Sequence, residues 1–221
     1  MSKKYEVEKL NKVRQLRDKA NYDVDTVHKI LDAAWLAHVA FVENGSAVVV
    51  PMMYGREGET LYLHGARKAR VIKMLEKNER VSLNVTLLDA LVLARSAFNS
   101  SANYRSVTIF GTPRLIDERE AKLQAMKVIS EQAMPGRWDE LREPLEREIK
   151  MTGVIALEIE RASAKVSDKP FPEDEEEDYD IPVWAGILPL QSTYQKLQDA
   201  DRLIEGVEPS DAVKALQGKT L

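Results

Sequence analysis

The chain has 221 residues, 44% of them hydrophobic and 31% charged, with a formal net charge of -4. That balance suits a globular domain with a sizeable core and excludes a chain disordered throughout. The acidic excess argues against nucleic acid as a partner, and the absence of cysteine removes disulfides, thiolate metal sites and thiol nucleophiles.

The opening "MSKKYEVEKLNKVRQLRDK" has no apolar signal core, and no apolar run approaches the roughly 18 residues of a membrane span. The reading is a cytoplasmic protein with no membrane partner. Residues 1–22, of mixed charge, are expected to be a loosely held arm. "DVDTVHKILDAAWLA" then predicts a helix, with Asp23 or Asp25 at its start and Val27, Ile30, Leu31 and Ala34 turned inward. "HVAFVENGSAVVVPMMYG" is two apolar runs parted by Asn44-Gly45, a pair that tolerates the positive φ values of a tight hairpin. Pro51 lacks a ladder donor, which confines it to a strand edge or a bulge.

"GREGETLYLH" reads as a turn and a third strand. It runs into "GARKARVIKMLEK", a helix from about residue 67 to 77. "RVSLNVTLLDALVLA" and "YRSVTIFGTPRLI" are two long β segments joined by a polar loop. "DEREAKLQAMKVISEQAM" is a helix stopped by Pro135-Gly136, with a second helix expected through about residue 150. "GVIALEIERASAKVS" alternates as one further strand. "DKPFPEDEEEDYDIP", with its prolines and acidic run, is expected to be an extended, exposed linker. "VWAGILPL" is compact and apolar, and "PSDAVKAL" predicts a short helix capped by Ser210. The segments are therefore an arm (1–22), a main domain (23–168), an acidic linker (169–182) and a C-terminal segment (183–221). The order predicts an α+β fold of about six mostly antiparallel strands, arranged as a small barrel or sheet.

The helix that follows "LYLHGARKAR" starts in an unusual way. Arg67, Lys68, Arg70 and Lys73 crowd a helix start where unpaired N–H groups and the peptide dipoles already supply positive charge. Such a turn fits an anion, and a phosphate fits best, with Gly65 and Ala66 allowing close approach. No GxxxxGK[ST] motif is present, so nucleotide hydrolysis is not implied. His64 precedes the turn, and the spacing of His28, His38 and His64 suggests no metal set. Three further stations could converge on the turn: the Val50, Pro51, Met52 strand; Tyr104, Arg105 and Ser106 at a strand start; and Trp184 after the acidic linker, able to cover an aromatic ligand.

With "YDVDTVHKIL", "VVVPMMYG", "LYLHGARKARVIKMLEKNERVSL", "YRSVTIFGTPRLI" and "VWAGILPL" in this order, the sequence from about Arg14 to Leu190 resembles the FMN-binding split-barrel superfamily. The likeness is to its pyridoxamine 5'-phosphate oxidase-related flavoproteins, nitroimidazole-resistance proteins among them. The resemblance implies a six-stranded split barrel with flanking helices and FMN as cofactor, its phosphate held by Arg67 and Lys68. It places Val50, Pro51 and Met52 beside the flavin ring, His64 and Gly65 in the pocket, and Arg105 and Ser106 on the strand that contacts the ring edge. It also implies a homodimer in which Trp184 reaches a flavin shared between subunits, and a small-molecule substrate. The chain continues past Trp184 as "LPLQSTYQKLQDADRLIEG" and lacks the Arg-x-His-Asp-Arg type segment of true pyridoxamine phosphate oxidases, so vitamer oxidation is not expected. An FMN-dependent oxidoreductase without a protein acid or base is the leading expectation. Its alternatives are a flavin store or sensor, or a split barrel using haem or a deazaflavin.

Overall fold

The computed structural model describes residues 3–220. Its strands are β1 (Ala20–Asn21), β2 (Leu36–Glu43), β3 (Ser46–Glu57), β4 (Thr60–Ala66), β5 (Val81–Leu93), β6 (Ser101–Gly111), β7 (Pro113–Ile116), β8 (Thr152–Glu158), β9 (Arg161–Ser167) and β10 (Gly186–Pro189). The helices are α1 (Val24–Asp32), α2 (Arg70–Lys77), α3 (Arg119–Ala133), α4 (Glu146–Met151) and α5 (Asp211–Lys214). The strands form one sheet ordered β1-β9-β6-β5-β2-β3-β4-β8-β7, with β10 added beside β5. The pairings are antiparallel.

The first hairpin forms where the turn chemistry puts it. Asn44 and Gly45 have φ of 49° and 78°, and β2 pairs with β3 from Glu43↔Ser46 to Leu36↔Met53. Alternation then fixes the faces, because successive side chains leave a strand on opposite sides. Ala37, Val39 and Phe41 turn into the barrel opposite Met52, Val50 and Val48, while His38 and Pro51 oppose each other on the outer face. Val27, Ile30 and Leu31 of α1 and Ile72 and Leu75 of α2 close the core. Each fully buried aliphatic side chain contributes about 2 kcal/mol by leaving water.

β3 changes partner midway. Its first eight residues pair with β2, whereas Tyr54 to Glu57 pair with β4. The sheet forks there, and β4 continues along β8. Behind the fork α3 lies directly on the Gly55 backbone: a Cβ at Gly55 would sit 2.6 Å from the Val128 carbonyl atoms and 2.7 Å from Ile129 Cα. Since helix backbone cannot step aside as a side chain can, Gly55→Ala is expected to destabilise the fold by about 2 kcal/mol. A denaturant midpoint equal to wild type would contradict this packing.

Several expectations need correcting. The arm is docked: Tyr5 is buried and donates to Glu59 at 2.6 Å, buried Asn11 donates to the Ala162 carbonyl, and β1 pairs with β9. The supposed single strand from Gly153 is two, β8 and β9, because the chain reverses at Ile159–Glu160. With the short pairings β1, β7 and β10 added, about six strands become ten among the described residues. The second helix after Pro135-Gly136 shrinks to a 3-10 turn at Trp138–Glu140 and α4, since Pro144 interrupts the segment. The acidic segment is not a free extended linker. Asp174, whose side chain is 0% exposed, accepts from both the Arg95 backbone N–H and guanidinium, and Tyr179 lies under Arg95 with 5.2 Å between guanidinium carbon and ring centroid. Beyond it β10 joins β5, and the Trp35 indole donates to Tyr194 at 2.9 Å, which anchors the C-terminal segment to the body of the fold. α5 forms with the Ser210 side chain accepting from the Val213 N–H.

Candidate functional site

The basic turn sits where β4 leaves the fork. β4 stays paired with β8 through Gly65↔Gly153 and Ala66↔Thr152, and the Arg67 N–H extends the ladder to the Met151 carbonyl at 2.8 Å. Close packing favours glycine at Gly153, where a Cβ would fall 2.6 Å from Ile72 Cγ2 and 3.2 Å from Arg67 Cα; one on Gly65 would meet the Ile72 side chain at a tight 3.3 Å. The Ala69 N–H closes a turn onto the Ala66 carbonyl, and α2 begins at Arg70 with no acidic residue in its first turn. The first N–H groups of α2 therefore lack intrahelical partners, and no side chain caps them. A phosphate-sized anion fits this donor set.

The cations are not all available. Arg67 forms a fork-on-fork pair with Glu76, with nitrogen–oxygen distances of 3.0 and 3.3 Å. Arg70 pairs with Glu43 of β2. Among the described residues Lys68 and Lys73 make no ion pair. The charge that looked uncompensated in sequence is thus partly compensated by two carboxylates. Neither is visible by local spacing, since Glu76 lies nine residues from Arg67 and Glu43 twenty-seven from Arg70.

His64 ends the regular outer face of β4, opposite Val154. Desolvation holds its imidazole below the ordinary histidine pKa, which favours the neutral ring at pH 7. Across the fork, Pro51 lies on the stretch of β3 that β4 has left, so its missing N–H costs no ladder bond. Met52 is buried and Val50 largely so, their side chains inside the barrel; at these two positions only backbone can face the fork.

Ser106 lies opposite Thr86, on the outer side of β6 given that Val107 and Val85 face inward. Arg105 is bound by Asp89 through three contacts of 2.7 to 3.3 Å, and that hydrogen-bonded carboxylate raises its pKa further above the usual range. Asp89 is the extra residue of a β-bulge between Leu88 and Ala90, a kink that also reverses which residues of β5 face outward. Trp184 is 68% exposed. Its ring lies against Gly186, where a Cβ would sit 2.7 Å from Trp184 Cζ2. In the sheet order β6 and β4 are separated by β5, β2 and β3, and β10 adds on at β5. His64, Gly65, Arg67 and Lys68 share the end of β4 and the turn after it, whereas Arg105, Ser106 and Trp184 belong to another part of the sheet. Leu88 and Leu91 of β5 and Leu188 of β10 are exposed in that part of the sheet, as are Leu36 of β2 and Val49 of β3. No helix among the described residues is long and apolar enough to cross a membrane.

Comparison with known proteins matches this architecture. The sequence profile described as pyridoxamine 5'-phosphate oxidase matches residues 23–166, from the start of α1 to the end of β9. A flavocytochrome from Azotobacter vinelandii superposes with a TM-score of 0.89 at 36% identity, covering 96% of this chain and 98% of its own. An FAD- and heme-binding protein from Mycobacterium smegmatis gives 0.86 at 33% identity, over 90% of this chain and 98% of its own. A Bacteroides thetaiotaomicron protein assigned to 5-nitroimidazole antibiotic resistance shares the fold, with a TM-score of 0.58 and 23% identity over 66% of this chain and 86% of its own. No curated protein sequence matches. The forked sheet, the glycine-backed basic turn and the profile spanning both lead to one assignment: the chain belongs to the pyridoxamine 5'-phosphate oxidase family, within the FMN-binding split-barrel superfamily.

Proposed function

We propose that this protein is a flavin-binding redox protein that anchors the flavin phosphate at the turn between β4 and α2. The carrying observation is that turn: uncapped N–H groups at the start of α2, with Lys68, which makes no ion pair among the described residues, and Arg67 on the turn just before it. Lys68 and Arg67 would hold the phosphate, and Pro51, His64, Gly65 and the backbone of Val50 and Met52 would line the fork. A neutral His64 adds a hydrogen-bonding group without placing a positive charge against the ring. The flavin itself supplies hydride or single-electron chemistry, and the chain's part is to orient it and exclude water.

Arg105, Ser106 and Trp184 lie away from the turn within one chain. They join the site if a second copy packs on the exposed leucines of β5 and β10, which makes a homodimer with shared sites part of this proposal. A small organic molecule is the expected substrate.

FMN was expected from the resemblance, and both FMN and FAD carry the phosphate that such a turn would hold. Two relatives that extend over nine-tenths or more of the chain are a flavocytochrome and an FAD- and heme-binding protein. Their coverage favours a second reading in which FAD and heme are the groups bound, in keeping with the haem alternative. Visible spectra of the purified protein before and after adding FMN, FAD or hemin test both. Flavin bands with quenched fluorescence are the expected result, and a Soret band would add the heme. A protein that takes up no flavin overturns the proposal.

A further inference from the structure

We propose that Glu76 is a positioning residue that competes with the flavin phosphate for Arg67 and thereby sets flavin affinity. This inference rests on the flavin reading above. Arg67 is fixed by its backbone, whose N–H donates to Met151 and whose Cα is backed by Gly153. Only its side chain is free to move, and it is drawn toward Glu76. Glu76 lies six residues beyond the first residue of α2, roughly 9 Å along the helix axis at the usual rise. The pair therefore pulls the guanidinium away from the unpaired N–H groups where a phosphate would bind.

The pair is also open to exchange. The Arg67 and Glu76 side chains are 32% and 39% exposed, so a swing of the guanidinium breaks no core packing. Arg70 is similarly taken by Glu43, which leaves the ligand-free turn partly neutralised by its own carboxylates. Both terminal nitrogens of Arg67 are engaged by Glu76, so carboxylate and phosphate compete for the same guanidinium edge. The consequence is a turn that stays partly compensated when empty and releases its flavin more readily than four free cations would.

The test is fluorescence titration of FMN and of FAD into wild type, Glu76→Gln, Arg67→Ala and the double variant. Glu76→Ala serves as a second probe, and thermal melts check the fold. Glu76→Gln is expected to tighten flavin binding roughly five-fold, the scale of one exposed ion pair, with no gain when Arg67 is already alanine. Weaker binding in Glu76→Gln would mean that Glu76 pre-organises Arg67, and overturns the competition. A gain of the same size without Arg67 would make Glu76 a general repulsive charge, and overturns it too. If flavin binding depends on Arg67 and Lys68 but is indifferent to Glu76, this inference fails and the functional reading stands. If no variant, wild type included, takes up flavin, both fall.

Discussion

Asp174→Ala is expected to release the acidic segment from the barrel. The Asp174 carboxylate is fully buried and accepts from the Arg95 backbone N–H and from its guanidinium, each at 2.8 Å. Deleting one partner of a buried pair costs about 3 kcal/mol or more, because the other charge is left without its counter-ion. Arg95 is poorly placed to absorb the loss: its Nε is already buried without a partner, as is Asn99 Nδ2 in the same loop. The cheapest relief is local. Residues 170–182 come away, Tyr179 leaves the guanidinium face, and water reaches Arg95. Proteolysis within 170–182 should then accelerate on the order of a hundred-fold, while the barrel melts nearly as before. Cleavage at the wild-type rate would show that Asp174 does not hold the segment. The same variant bears on function, because this segment delivers Trp184 and β10 to β5. If Trp184 covers a flavin, loosening should raise flavin fluorescence without abolishing binding.

The fate of that segment shows what sequence patterning can and cannot say. Composition marks 169–182 as acidic and proline-bearing, and most such runs are solvated. One residue of the run, Asp174, finds a loop cation seventy-nine positions earlier, and no local rule points to it. The docking of the arm is hidden for the same reason. Tyr5 is held by Glu59, Asn11 by Ala162 and Arg161 by Glu6 and Glu8, all long-range partnerships inside a stretch without periodicity. Elements set by neighbours along the chain were legible. Asn44-Gly45 made its hairpin, Glu118 accepts from the N–H groups of Glu120 and Ala121 at the start of α3, and Ser210 caps α5. The reversal between β8 and β9 leaves no local mark, because alternation continues across Ile159 and Glu160 with no glycine or proline at the turn.

The candidate site divides along the same line. The turn itself was readable, because four cations straight after a strand violate the dipole rule locally. Its carboxylates were not, since Glu43 reaches it from the β2–β3 hairpin and Glu76 from the far end of α2. Strand parity also limits what a residue list conveys. Val50, Pro51 and Met52 are adjacent in sequence, yet only Pro51 turns its side chain outward, and the bulge at Asp89 resets that parity in β5.

Arg67 and Lys68, replaced together by alanine, should weaken flavin binding by about 3 kcal/mol, a hundred-fold or more in Kd. Each charged hydrogen bond to a phosphate is worth roughly 1.5 to 3 kcal/mol, and Arg67 must give up about 1 kcal/mol of ion pairing with Glu76 to make its own. The two residues should therefore contribute unequally. Lys68→Ala alone loses a bond that competes with nothing, so it should be the more damaging single change, and Arg67→Ala the milder. The fold should be unaffected, because Lys68 is exposed and the Arg67 backbone bond to Met151 survives truncation of the side chain. Fluorescence titration of both single variants and the double variant, alongside thermal melts, measures this directly. Affinity unchanged in the double variant would move the anion away from this turn. A larger loss for Arg67→Ala than for Lys68→Ala would instead mean that Glu76 holds the guanidinium ready for the phosphate. The ranking of two single substitutions thus separates a turn that is merely basic from one whose basicity is metered by its own carboxylate.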